Sequence, residues 1–372
     1  MFKDEIITWL QKVLAGETPA LPHDEDQFIT DTLQLADWHG VTALVHHELS
    51  KDNNLDKYPE KFNEQLIARN NRIVAGKLLW KQEMINVQSA LHTANMRSLL
   101  IKGFPLSYVL YPGPHLRLYS DIDILFPDFE STEKAWNILT DMGYTRPVTA
   151  SGKYISHQFS CYRSGTSGFP FALDLHWRVN NHYFFANALM FEELESSSMV
   201  LPGIEPEMRT LSPEYALLYA CMHRIAHLPF NESNRLIWLY DIHLLAKSFN
   251  ADQWTHFVDL AAGKKLSSVC LDGLLECKTR FNTGLPENVL EKLQQEGTDD
   301  PIKPEELTSA WKYNLTIYKT MPGWTERFCL LREHLFPPPD YMLAKYKTAN
   351  KWLLPYLYTK RIVGAVIKIF KF

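Results

Sequence analysis

The sequence predicts an α+β fold in which a small mixed β-sheet is flanked by an N-terminal and a C-terminal helical region. Apolar residues recur at helical spacing from residue 4 to about residue 96, and again from residue 213 to about residue 335. Between these stretches the apolar runs are short and turn residues separate them, which indicates alternating strands and helices. We divide the chain into an N-terminal helical region, an α/β core, a C-terminal helical domain and a basic aromatic tail, at residues 1–96, 97–210, 211–335 and 336–372.

The N-terminal region predicts several separate helices. Ile6, Leu10 and Val13 share one helical face, and residues 18–22 and 51–54 are rich in turn-forming types. These interruptions divide the first 96 residues into a helical bundle.

The α/β segment begins with a short apolar strand at residues 98–101, followed by Lys102-Gly103. A glycine directly after a buried strand predicts a tight turn. We expect a short helix with Pro105 near its start, because proline is tolerated in a first helical turn. The two prolines within residues 111–114 end that helix, since neither can continue its hydrogen-bond ladder.

Three more strands are expected. Residues 121–125 alternate polar and apolar side chains, and a helix capped by Asp128 and terminated at Gly143 follows them. Further strands are predicted near residues 154–161 and 169–177; in the latter, Asp174 and His176 lie opposite its apolar face.

Composition and charge narrow the class of protein. The five cysteines are scattered without metal-site spacing, which indicates reduced thiols, and the N-terminus has acids where a secretory signal is basic. We therefore expect a cytoplasmic protein. The net charge is −5, although residues 345–372 contain seven Lys or Arg and no acid. This asymmetry argues against general binding of double-stranded nucleic acid by the body of the protein.

Asp121 and Asp123 are the first candidate site residues. Residues two apart on a strand point the same way, so both carboxylates project from one face. Two like charges about 4 Å apart repel by about 4 kcal/mol at an effective dielectric near 20. Mg²⁺ or Mn²⁺ suits such oxygen ligands, and Asp174 can supply a third carboxylate. Three convergent carboxylates can hold two cations for in-line phosphoryl or nucleotidyl transfer.

Lys102, Gly103 and Arg117 are candidate phosphate ligands, because backbone N–H groups and cationic side chains bind phosphate oxygens. Asp-x-Asp and Lys-Gly are each common in ordinary turns and surface strands. Their order along the chain is more informative: strand, Lys-Gly, helix, Arg, Asp-x-Asp, then a later strand with a single aspartate.

With these residues the chain resembles the polymerase-β-type nucleotidyltransferase superfamily, and within it an uncharacterised bacterial branch. The resemblance covers roughly residues 99–246 and weakens towards the tail. The matching segments are Leu99-Leu100-Ile101-Lys102-Gly103, Arg117-Leu118-Tyr119-Ser120-Asp121-Ile122-Asp123-Ile124-Leu125, Met142-Gly143-Tyr144, Leu173-Asp174-Leu175-His176-Trp177, Cys221-Met222-His223 and Trp238-Leu239-Tyr240-Asp241-Ile242.

The resemblance implies a small mixed sheet, Mg²⁺ as cofactor and an NTP such as ATP as donor. It implies metal ligation by Asp121, Asp123 and Asp174, with Ser120 among the nucleotide-binding residues. Better-known branches carry Gly-Ser at the phosphate turn, whereas this chain has Lys102-Gly103 followed by phenylalanine.

The leading hypothesis is an enzyme that transfers a nucleoside monophosphate from an NTP to an acceptor hydroxyl and releases pyrophosphate. The acceptor is a small molecule, a glycan precursor, a protein side chain or an RNA end. Two alternatives are a non-catalytic NTP-binding adaptor at a membrane surface and a metal-dependent phosphohydrolase.

Other polar residues admit both structural and functional interpretations. His176 either assists the metal site or hydrogen-bonds a neighbour. His223 and His227 share a helical face, yet no third metal ligand is evident, which favours packing. Asp241 lies in an apolar helix and requires a partner, such as Arg235 or a histidine.

The tail combines basic and aromatic residues, with Ile362, Val366, Ile369 and Phe370 on one helical face. This composition is typical of an interfacial helix on anionic lipid at the inner face of the membrane, and it is too short and charged to span a bilayer. A helix docked on the acidic body of the protein has the same pattern.

Overall fold

A computed structural model describes residues 2–149, 154–165, 168–204, 207–230 and 234–370, with side chains up to residue 364. The strands are β1 (Leu99–Ile101), β2 (Ile122–Leu125), β3 (Gln158–Ser164), β4 (Pro170–His176), β5 (Met199–Val200) and β6 (Arg209–Thr210). They form one mixed sheet in the order β3-β4-β2-β1-β6-β5. Along the chain, helical regions precede and follow the segment that contains these strands, so the predicted α+β class is confirmed.

The helices before and within the sheet are α1 (Lys3–Leu14), α2 (Asp26–His39), α3 (Thr42–Ser50), α4 (Glu60–Thr93), α5 (Gly103–Val109), α6 (Phe129–Asp141), α7 (Tyr183–Ala188) and α8 (Phe191–Ser196). Those after it are α9 (Pro213–Ala226), α10 (Leu236–Ser248), α11 (Ala251–Gly263), α12 (Ser267–Phe281), α13 (Glu287–Glu296), α14 (Ala310–Thr320), α15 (Trp324–Leu335), α16 (Pro339–Lys345) and α17 (Leu354–Phe370).

Local chemistry explains the elements around the site. The side chain of Asp128 caps α6 by accepting the backbone N–H of Ser131 at 2.7 Å, as predicted. In β4, Phe171, Leu173 and Leu175 are buried while Asp174 stays half-buried, because alternate side chains face opposite sides of a strand.

The strand predicted near residues 154–161 begins later than expected, at Gln158. The backbone N–H groups before it are bonded to side chains of other segments. Tyr154 donates to the carboxylate of Glu333 at 2.9 Å, and His157 donates to Asn181 at 2.7 Å. Side chains distant in sequence thus set the start of the strand.

Two apolar clusters hold the molecule together. One contains the inner faces of α1–α3 together with those of α9–α13, so the two helical regions share a core. The other lies between the sheet, α4 and α6. The C-terminus of α2 contacts α10 directly, since His39 accepts the backbone N–H of Leu236 at 3.2 Å. This contact holds the end of α2 against the start of α10.

All five cysteines are free thiols, as the sequence predicts. Among the described residues, no helix is both long enough and apolar enough to cross a bilayer.

Candidate active site

Strand register brings the predicted acidic residues together. Strands β2 and β4 pair in parallel, with Asp123 opposite Asp174 and Leu125 opposite His176. Asp123, Asp174 and His176 each offer one ligand atom, and these atoms all lie within 4.8 Å of one another. Within the described part of the chain this is the one group of three or more acidic, histidine or cysteine side chains placed to hold a metal ion.

Asp123 is the most tightly held member of this group. Its Oδ1 accepts a hydrogen bond from the ammonium of Lys102 at 2.6 Å and lies 2.8 Å from Nε2 of His176. Burial alone would raise the pKa of Asp123, but Lys102 and His176 lower it to about 2. Burial opposes the charge on Lys102 too, yet the Asp123 carboxylate raises the pKa of that lysine. Both groups are therefore charged at neutral pH.

Asp121 precedes β2 and lines the same cleft, half-buried. Burial, and then the charges of Asp123 and Asp174, raise the pKa of Asp121 to about 6. Asp121 is thus disfavoured in its charged form by burial and by two neighbouring carboxylates, although it is not a member of the Asp123–Asp174–His176 group.

Asp174 has a partner that sequence reasoning missed. The amide Nε2 of Gln158 donates to Asp174 Oδ2 at 3.0 Å. Gln158 lies at the start of β3, where it pairs across the strands with His176. The sequence alone could not identify Gln158 as this partner, because its position beside Asp174 depends on the antiparallel β3–β4 register.

The Lys102-Gly103 turn has an unusual backbone. Lys102 has φ 64° and ψ −134°, a conformation that costs a residue with a side chain on the order of 1–3 kcal/mol. A Cβ atom on Gly103 would lie 2.9 Å from Cβ of Tyr119, so only glycine fits this position without movement. A lysine, rather than a glycine, therefore lies directly beside Asp123 in spite of this backbone strain.

The guanidinium of Arg117, a predicted phosphate ligand, is already bonded to other groups of the protein. It forms a buried ion pair with Asp241, with Nη2 at 2.7 Å from Oδ2, and its Nη1 also donates to the Leu118 carbonyl. Tyr111 donates to the same aspartate at 2.6 Å. Asp241 thus has the buried partner that its position in an apolar helix requires. This partner is Arg117 and not the suggested Arg235 or a histidine, because the loop before β2 packs on α10.

A cleft of about 440 Å³ collects the predicted site residues. Lys102, Gly103, Arg117, Ser120 and the three aspartates all line it, whereas His176 is buried behind Asp123. Sequence reasoning missed several other lining residues, which come from α2, α9, α10 with the residue before it, and the segment after β4: Asp37, Tyr219, Trp238, Arg235 and Asn181. The cleft is in the size range of small-molecule sites.

His223 and His227 also line the cleft, where their rings pack against each other and against Trp238 at tilted to edge-on angles. Their ring centroids are 4.5 Å apart and lie 4.7 Å and 4.9 Å from the Trp238 ring. Burial, followed by the nearby Lys102 charge, holds the pKa of His223 well below its usual value. No third ligand joins these histidines among the described residues, in agreement with the packing interpretation.

The cluster fits a hard divalent cation. Its donors are carboxylate oxygens with one adjacent imidazole, and Mg²⁺ and Mn²⁺ favour oxygen ligands. After burial, the charges of Asp123 and Asp174 are the main causes that raise the pKa of Asp121, so a cation there would relieve carboxylate repulsion.

Comparison with known proteins agrees with this geometry. A model of the family described as "Uncharacterised nucleotidyltransferase" matches residues 26–282, well over half of the chain. A search of curated proteins found no match. One similar solved structure, "Crystal structure of JHP933 from Helicobacter pylori", has 15% identity, covers 69% of this chain and 97% of that chain, and has a TM-score of 0.30. That likeness supports no conclusion by itself, whereas the family match does: the chain belongs to the uncharacterised nucleotidyltransferase family.

Proposed function

We propose that the protein is a metal-dependent enzyme that moves a nucleoside monophosphate from an NTP to an acceptor hydroxyl. The observation that carries the proposal is the convergence of Asp123 and Asp174, with Asp121 beside them, in a cleft that also contains Lys102. In the reaction the acceptor oxygen bonds to the α-phosphorus, the bond from that phosphorus to the leaving pyrophosphate breaks, and the hydroxyl proton passes to Asp174.

The residues of the chain divide this work. Asp121, Asp123 and Asp174 would hold the cation, which when bound neutralises phosphate charge and lowers the pKa of a hydroxyl. His176 positions Asp123 through the 2.8 Å contact, and Gln158 positions Asp174. Lys102, with Gly103 and Ser120 in the same cleft, would face phosphate oxygens and offset the charge that develops on them.

Pyrophosphate release tests the proposal directly. The full-length protein is incubated with Mg²⁺, each of the four NTPs labelled at the α-phosphate, and a cell lysate as the source of acceptor. Pyrophosphate together with a labelled acceptor supports transfer. Inorganic phosphate without a labelled acceptor identifies a phosphohydrolase, and nucleotide binding without turnover identifies an adaptor.

Substitution of Lys102 by methionine separates phosphate contact from metal binding. We expect Lys102→Met to reduce turnover by roughly 10²-fold, because removal of one charged donor in an electrostatic site typically costs this much. Mg²⁺ affinity should not fall, because the lost ammonium competes with a cation for Asp123. The measurements are kcat/KM for the NTP and a calorimetric Mg²⁺ titration; a matching loss of Mg²⁺ affinity would contradict the assignment.

The tail gives a second proposal, attachment to anionic lipid at the inner face of the membrane. Trp352 is 93% exposed and Tyr356 is 62% exposed, next to several basic residues. The described part of α17 is also partly docked: the Tyr358 hydroxyl donates to the Pro337 carbonyl at 2.7 Å, and Arg361 donates to that of His334 at 3.0 Å. Of the predicted apolar face, Val366, Ile369 and Phe370 lie outside the described side chains.

Truncation after Pro355 distinguishes a lipid anchor from a docked helix. A lipid anchor predicts that the truncated protein leaves phosphatidylserine-containing vesicles but keeps its turnover on a soluble acceptor. Each Lys or Arg near an anionic surface contributes about 1 kcal/mol, and added salt should weaken this attraction. Co-sedimentation at two salt concentrations measures it, with phosphatidylcholine vesicles as the control. A lower melting temperature of the truncated protein, with no vesicle binding by the full chain, would favour docking.

A further inference from the structure

A second cavity, of about 280 Å³, lies directly beside the catalytic cleft. Lys102, Gln158 and Asn181 line both spaces. We call Asp121, Asp123 and Asp174 the carboxylate cluster. Since Lys102 donates to Asp123 and Gln158 donates to Asp174, the second cavity adjoins this cluster. At about 30 Å³ per water molecule, its volume suits a small compound built on one or two rings.

The described walls of this cavity consist mainly of aromatic rings, apolar side chains and side-chain amides. Tyr154, Phe230 and Tyr313 supply rings, and side-chain amides come from Asn180, Asn181, Asn314 and Gln158. None of the described lining residues is Asp, Glu or Arg. The ammonium of Lys102 pairs with Asp123, and in the proposed reaction it faces the phosphate oxygens of the NTP. Burial lowers the pKa of both His223 and His334, which keeps their imidazoles uncharged near neutrality.

One side of the cavity is formed by α14 and α15, which follow the segment matched by the family model. Tyr313, Asn314 and Ile317 come from α14, and Leu330 and His334 come from α15. All five follow residue 282, where the match to the family model ends. The shape of this cavity is therefore set in part by residues outside the family-wide segment.

We infer that this second cavity, formed between the carboxylate cluster and α14–α15, binds the acceptor, and that the acceptor is a small, uncharged, hydroxyl-bearing ring compound. This inference rests on the proposed nucleotidyl transfer. A charged acceptor would leave water for walls whose described residues include no Asp, Glu or Arg, which is strongly unfavourable. An uncharged ring packs on aromatic side chains, and its hydroxyls bond to the amides. The cleft of about 440 Å³ would then bind the NTP.

The charge of the acceptor is tested by fractionation. A cell extract is filtered to remove macromolecules, and the filtrate is separated into unretained, anion-exchanger-retained and cation-exchanger-retained fractions. Each fraction, and the macromolecular retentate, is incubated with the full-length protein, Mg²⁺ and α-labelled NTP. We expect label to move to a compound in the unretained fraction. Label on a compound from a charged fraction or from the retentate would overturn the inference.

The location of the acceptor is tested by filling the cavity from its surface. Asn314 is exposed on α14 and lines the cavity, so Asn314→Phe narrows the space without changing the core; its neighbour Leu315 is exposed and does not line it. Asn314→Phe should raise the KM for the unretained fraction by about tenfold, with nucleotide affinity unchanged within about twofold. Leu315→Phe is the matched control.

Three results would contradict this location. Equal behaviour of the two variants would remove the acceptor from the cavity, and a matching loss of nucleotide affinity in Asn314→Phe would assign the cavity to the NTP. Absence of both pyrophosphate and labelled product with every fraction would refute the proposed transfer itself, and the inference with it.

Discussion

Asp121→Asn should lose nucleotidyl transfer and yet make the metal-free protein more stable. Loss of a ligand to a Lewis-acid cation removes several kcal/mol of transition-state stabilisation, which corresponds to roughly 10²–10³-fold in turnover. The same change deletes a carboxylate whose pKa is raised by burial first and then by the charges of Asp123 and Asp174. A shift from 3.8 to about 6 sets an upper limit of about 3 kcal/mol on the gain in stability at pH 7.

Pyrophosphate release and a melting curve in the presence of a chelator measure these two effects. Asp123→Asn should show the same loss of turnover without the gain in stability, because it breaks the ion pair with Lys102. The matched control is Asp128→Asn, the same chemical change at the cap of α6, where asparagine caps as well as aspartate. Near-normal turnover in Asp121→Asn or Asp123→Asn would refute the three-carboxylate site.

Arg117→Met should destabilise the fold by about 3–5 kcal/mol, because it leaves the charge of Asp241 buried and without its cationic partner. Arg117 and Asp241 are 6% and 5% exposed at their side chains, so water cannot replace either partner. Chemical denaturation should show this loss in the free energy of unfolding. Asp241→Leu alone should cost a similar amount.

The double variant Arg117→Met/Asp241→Leu is the control for this prediction. It removes both charges and should recover most of the lost stability. A deficit of about 1 kcal/mol should remain, because the hydroxyl of Tyr111 loses its acceptor. If Arg117→Met by itself is as stable as the wild-type protein, the guanidinium is not structural, and a direct role on phosphate becomes the better assignment.

Local sequence pattern determined the order of strands and helices in the core. Alternation in β4 follows from the burial of one strand face, and the Asp128 cap follows from the preference of a helix N-terminus for a carboxylate. The positions of Asp121, Asp123 and Asp174 as candidate ligands were also readable, because each lies on or beside a short strand whose polar face is evident in sequence.

Only the tertiary structure decided which charges meet. Lys102 pairs with Asp123 across 21 residues, and Arg117 with Asp241 across 124. Asp241 pairs with Arg117 rather than with Arg235 because the loop before β2 packs against α10. No local sequence pattern predicts that packing. The same holds for Gln158 beside Asp174, which requires the β3–β4 register. Coulomb energy and hydrogen bonding act over a few ångströms in space, whereas sequence pattern reports on neighbours along the chain.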